Sequence, residues 1–161
     1  MTYIKETKAY KNEFVVDTDN FSSQVVSTTL SPYNGTEITY TPEYGSSNVV
    51  YEVNFAISPY PDPKGSYFTT RVQYSDDDGL NWSTIDGTRV FEGTFSSASD
   101  YDWIILSYTF ILSSWTGERK IRLAGRSYNT SSDFTIGSQH YITNQSGVAA
   151  CPHISIFSVK S

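Results

Sequence analysis

The stretch Ser75-Asp76-Asp77-Asp78-Gly79-Leu80-Asn81-Trp82 carries the densest set of chemically capable side chains in the sequence. Adjacent carboxylates attract a hard cation such as Ca²⁺, yet Gly79 and the lack of a later Glu break the ligand spacing of a calcium-binding loop. The spacing suits a local task better. Asp77 is placed to accept hydrogen bonds from backbone N–H groups in a tight turn, Gly79 to take a positive φ, and Trp82 to pack beneath. Ser75, Asp77, Gly79 and Trp82 are therefore read as a structural turn, with no metal bound.

The remaining candidates for chemistry are weaker. His140 and His153 fall on different strand-like runs, without the spacing of a shared metal site. Serine is abundant, but no Gly-x-Ser-x-Gly nucleophile motif accompanies it. Asp100 and Asp102 flank a strand start and read as solvated loop charges before they read as an acid–base pair. The five Asn-x-Ser/Thr matches (Asn20, Asn34, Asn81, Asn129, Asn144) reflect Ser, Thr and Asn richness in a chain without a secretion signal. The lone Cys151 excludes an intrachain disulfide and a cysteine zinc cluster. No catalytic residue, cofactor or metal ligand is assigned, and the chain is read as a non-enzyme. Tyr60, Tyr67, Trp115, Tyr128 and Tyr141 lie in or beside turns, where rings stack on sugars or cap a core. They form the candidate surface-binding set.

These residues need a scaffold, and the pattern of the chain is that of strands. The run from Trp103 to Leu112 is mostly β-branched and aromatic, too short to span a membrane, and without a helical start signal. Ile104, Leu106, Tyr108, Phe110 and Leu112 fall on one side; Ile105 and Ile111 fall on the other. A half-solvated strand does not place that much hydrophobicity on its second face, so a second layer or a neighbouring subunit is expected to cover it. Asn48 to Ser58 alternates most clearly, with Val49, Tyr51, Val53, Phe55 and Ile57 on one face. Alternation recurs over residues 24–30, 36–41, 67–75, 89–95, 119–128, 134–142 and 153–160, punctuated by Gly, Pro and Asn turns. About nine or ten strands and no convincing helix predict an all-β sandwich or barrel.

Composition agrees. Aromatics make up 16% of the chain, with 13 Tyr and 9 Phe among abundant Thr, Ser and Val. At 161 residues the chain has room for one self-sufficient core, read as an N-terminal arm over 1–12 and a single domain over 13–161. The net charge is −6 and the 11 Lys and Arg are scattered along the sequence, which argues against a nucleic-acid surface. The N-terminus lacks a signal-peptide core and no segment reads as membrane-inserting.

The order of these elements resembles the TNF/C1q-like jelly roll of phage fibres and virion appendages. The carriers are Ile38-Thr39-Tyr40-Thr41-Pro42 leading through Gly45-Ser46-Ser47 into Val49-Val50-Tyr51-Glu52-Val53, then Phe68-Thr69-Thr70-Arg71-Val72 before an Asp-Gly turn. Gly117-Glu118-Arg119-Lys120-Ile121-Arg122-Leu123 follows, and His153 to Val159 closes the chain. The resemblance implies a homotrimeric virion structural protein, a capsid decoration or a small fibre or spike component. Its partners are then other virion proteins and, for host attachment, a host-surface glycan. It also implies an inner sheet at a threefold axis, with Tyr51, Val53, Phe55, Ile121, Leu123, Ile156, Phe157 and Val159 as the expected trimer interface. The alternative is a non-catalytic carbohydrate-binding β-sandwich module using its loop aromatics. Ser75 to Trp82 also fits the Asp-box pattern of sialidase-like propellers, but one copy in a chain of 161 residues cannot build a propeller.

Overall fold

A computed structural model describes residues 24–58, 67–92, 104–128, 134–136 and 153–160. The N-terminal arm, Tyr60, Asp100, Asp102, His140, Tyr141 and Cys151 lie outside the described residues.

Among the described residues, eleven strands form, all antiparallel, in two sheets. They are Gln24–Val26 (β1), Ser31–Pro32 (β2), Ile38–Tyr40 (β3), Asn48–Ser58 (β4), Phe68–Ser75 (β5), Ser83–Thr84 (β6), Val90–Glu92 (β7), Ile104–Ser113 (β8), Arg119–Ser127 (β9), Phe134–Ile136 (β10) and His153–Val159 (β11). The first sheet runs β1-β10-β4-β11, with β8 along the other side of β4. The second runs β2-β9-β5-β6, with β3 added to β9 and β7 to β5. This is a jelly-roll-like sandwich.

Period-two alternation decides what each strand buries. On β4, Val49, Tyr51, Val53, Phe55 and Ile57 are buried between the sheets. Their cross-strand partners Leu112, Phe110, Tyr108 and Leu106 on β8 share that face. From the opposite sheet, Phe68, Val72, Ile121 and Leu123 complete the core. Tyr33 fills a particular gap. Its hydroxyl pairs with Thr70 Oγ1 at 2.9 Å, over Gly125. A Cβ at Gly125 would overlap the Tyr33 phenol and crowd the Thr69 carbonyl, so only glycine fits there. Burial pushes the Tyr33 and Tyr51 phenols well above their usual range, so both stay neutral; the Tyr51 hydroxyl donates a hydrogen bond to Thr36 O at 2.7 Å.

The same alternation corrects the expected trimer interface. Tyr51, Val53, Phe55, Ile121, Leu123 and Ile156 are buried inside the sandwich of one chain. They are therefore used within the subunit. Strand β9, grouped in sequence with β4 and β11, belongs to the other sheet. Phe157 and Val159 pair with Val50 and Asn48, away from the core, and are half-buried. They share this outer face with Ile105 and Ile111, which are 62% and 72% exposed. No layer of described residues covers it.

Candidate functional site

The Ser75–Trp82 turn joins β5 to β6. Ser75 Oγ accepts the Gly79 N–H at 2.8 Å and donates to Asp77 Oδ1 at 2.6 Å. Asp77 Oδ1 accepts the Asn81 N–H at 2.9 Å, and Asp77 Oδ2 accepts the Asn81 amide at 2.6 Å. These donors stabilise the carboxylate, and its pKa falls from 3.8 to about 2, with Ser75 as the largest cause. Asp78 and Gly79 both take positive φ, 58° and 90°, a conformation that Asp tolerates better than most side chains. Trp82 Nε1 donates to Gly79 O at 2.9 Å and its ring packs against that glycine.

The flanking carboxylates are likewise engaged. Asp76 receives a two-pronged bond from Arg119, at 2.5 and 3.3 Å. Asp78 pairs with Lys120 at 2.8 Å, and Glu37 lies 3.4 Å from the same ammonium, which raises the Lys120 pKa through Asp78 first. All three aspartates serve the turn and its anchorage. Among the described residues, no group of three or more His, Cys, Asp or Glu is arranged to hold a metal ion.

Arg119 leads from the turn to a hollow of about 450 Å³. It opens at one side of the sandwich, where β8 of the first sheet faces β6 and the following turn of the second. Tyr74, Trp115, Arg119, Thr84, Asp86 and Ile111 are among its lining residues. The Arg119 guanidinium lies over the Tyr74 ring at 4.4 Å and 5.4 Å from that of Trp115. Trp115 also meets Tyr40 edge-on at 6.2 Å. Two aromatic rings are thus fixed around a cation whose charge Asp76 already balances. Its volume falls in the range of small-molecule sites, and its open lining mixes rings with polar side chains.

The other aromatic candidates separate from Trp115. Tyr67 and Tyr128 adjoin one another, the Tyr128 N–H donating to Tyr67 O at 2.8 Å. Arg126 stands 5.1 Å and Arg89 5.8 Å from the Tyr128 ring, and Arg89 donates to the Tyr128 hydroxyl. So the loop aromatics do not form one platform. Tyr74 and Arg119 were missing from the sequence-based set because each looks like an ordinary strand residue. Only the strand pairing shows that Tyr74 sits beside the Trp115 turn.

No protein-family model and no curated protein matches the chain. Among solved structures it is similar to the CBM22-1 xylan-binding domain from Paenibacillus barcinonensis Xyn10C, at 11% identity and a TM-score of 0.41, over 99% of each chain. It is also similar to the Eiger TNF from S. frugiperda, at 9% identity and a TM-score of 0.40, over 86% of this chain and 92% of that one. A third likeness, to dimeric latent PorU from Porphyromonas gingivalis, has 9% identity and a TM-score of 0.36, over 88% of this chain and 13% of that one.

Proposed function

We propose that the protein is a non-catalytic glycan-binding β-sandwich module, with its sugar site in the hollow between β8 and β6. The observation that carries this reading is the pairing of Tyr74 and Trp115 around Arg119 at the mouth of a rigid sandwich. Sugars offer apolar C–H faces and hydroxyl edges. The rings supply stacking surface; Thr84, Asp86 and Ser113 supply polar atoms around the same hollow. Because Asp76 balances Arg119, the site favours a neutral sugar over an anionic one.

The module is read as non-catalytic because the hollow lacks a paired acid and base, and Asp76 and Asp78 nearby are engaged by Arg119 and Lys120. Asp86 is the single carboxylate among the described residues lining the hollow, whereas glycoside hydrolysis ordinarily uses two. The test is affinity electrophoresis of the protein through gels holding neutral polysaccharides, beside Trp115→Ala. Retardation by at least one polymer, lost in a folded Trp115→Ala variant, is expected. Retention unchanged in that variant, or no retardation by any polymer, contradicts the reading. Steady release of reducing sugar would also contradict it.

A second reading is favoured by a different observation, the exposed Ile111 beside Val50 and Phe157, with the exposed Ile105 further along β8 on the same face. Self-association through this outer face, as a homotrimer in a virion appendage, would cover them. The two surfaces meet at Ile111, which lines the hollow and is exposed on the outer face.

A further inference from the structure

The chain contains five arginines, and the fold gathers four of them, Arg71, Arg89, Arg122 and Arg126, on or beside the outer face of the second sheet. This happens in a protein of net charge −6, whose basic residues are scattered in sequence. The register shows how. Arg71 sits opposite Ala124, so it lies diagonally between Arg122 and Arg126 on the neighbouring strand. Those two are four residues apart on β9, roughly 13 Å along the strand. β5 pairs with β7 as Thr70↔Val90 and Thr69↔Phe91, and one more step in that register brings Arg89 beside Arg71.

The cluster has little to balance it. Arg71 Nε and Arg126 Nε are buried and meet no hydrogen-bond acceptor. Neither arginine pairs with a carboxylate among the described residues. Arg122 donates from Nε to Gln73 Oε1 at 3.0 Å, a neutral partner, and lies 3.6 Å over the Trp82 ring. Glu37 acts on Arg122 only from a distance. Like charges set across a sheet repel, and the two buried Nε–H groups without acceptors add to that cost. An anion on the face relieves both.

We propose that this face is a second binding site, for a polysaccharide whose sugar units carry carboxylates. Arginine forks match planar carboxylates with two parallel bonds. Trp82 and Tyr128 bracket the cations, Trp82 beneath Arg122 and Tyr128 beside Arg89 and Arg126. A nucleic acid fits less well, because four arginines on one sheet face fall short of the basic stripe that a nucleic-acid surface uses. The site shares no residue with the neutral-sugar hollow and stands whether or not that hollow binds.

The experiment is affinity electrophoresis of the full chain through polygalacturonate, with methyl-esterified polygalacturonate and duplex DNA in parallel gels. Polygalacturonate is expected to retard the protein, and the esterified polymer and DNA are not. Arg71→Gln with Arg126→Gln should weaken retention at least tenfold, and added salt should weaken it too. Trp115→Ala should leave it unchanged, which separates this result from any failure of the hollow. If the double variant does not fold by circular dichroism, competition on the unmodified protein decides. Free galacturonate then displaces the polymer, and free galactose does not. Equal retention by the esterified polymer, equal displacement by galactose, stronger binding of DNA, or no retardation at all would overturn the proposal.

Discussion

Asp77 holds the turn between β5 and β6 by accepting hydrogen bonds from Ser75 and Asn81, and it does so as a carboxylate. Its folded-state pKa of about 2 lies below the ordinary 3.8, so its contribution is complete above pH ~4 and is lost as pH falls towards 2. Asp77→Ala should lower Tm at neutral pH by roughly 3 °C or more. In that variant, Tm should fall less steeply than wild type between pH 4 and 2. Neither EDTA nor Ca²⁺ should shift the wild-type Tm; a rise of several degrees with Ca²⁺ would show a metal in the turn. Gly125 makes a sharper case. A methyl group there meets the Tyr33 phenol within a packed core, so Gly125→Ala should cost about 2 kcal/mol or more in urea unfolding. Pairing it with Tyr33→Phe should recover little, because the ring carbon, not only the hydroxyl, crowds the site.

At the scale of elements, alternation made much of the scaffold legible. β4 spans the residues that alternate most clearly, and β5, β8, β9 and β11 lie within a residue or so of their apolar runs. The short β2 and β6 were not legible, since two residues carry no period and exist only through their neighbours on β9 and β5. Six of the eight expected interface residues are core residues instead, for a related reason. Period two separates the two faces of a strand without saying which face meets its own second sheet. Tyr51 and Ile121 look equally suited to a core and to a subunit contact, and the core claims both. The site was legible only at Trp115. Tyr74 and Arg119 come to it through pairing across the sheet, and no local pattern encodes that. The four arginines likewise become a cluster only once β5, β7 and β9 lie side by side. The antiparallel register therefore determines the chemistry of both faces of the second sheet.

Across the whole molecule, the first sheet presents an outer face on which exposed isoleucines stand among polar residues such as Glu52 and Thr109, the second presents a cationic face, and the hollow opens between their edges. Ile105 and Ile111 belong to the first of these. If that face mediates self-association, Ile105→Asp with Ile111→Asp should convert an assembly into monomer while leaving the melting curve cooperative. Light scattering should report three times 18.1 kDa before substitution and 18.1 kDa after. A monomer at high concentration in the unmodified protein would remove the trimer and leave the glycan site intact. Nuclear magnetic resonance on the indole groups tests a glycan site in the hollow. The chain has three tryptophans, and Trp115→Phe assigns the signal of interest. Titration with a neutral oligosaccharide from the retarding polymer should shift the Trp115 indole signal saturably and leave that of Trp82 in place. An unmoved Trp115 signal at saturating sugar would contradict a glycan site in the hollow.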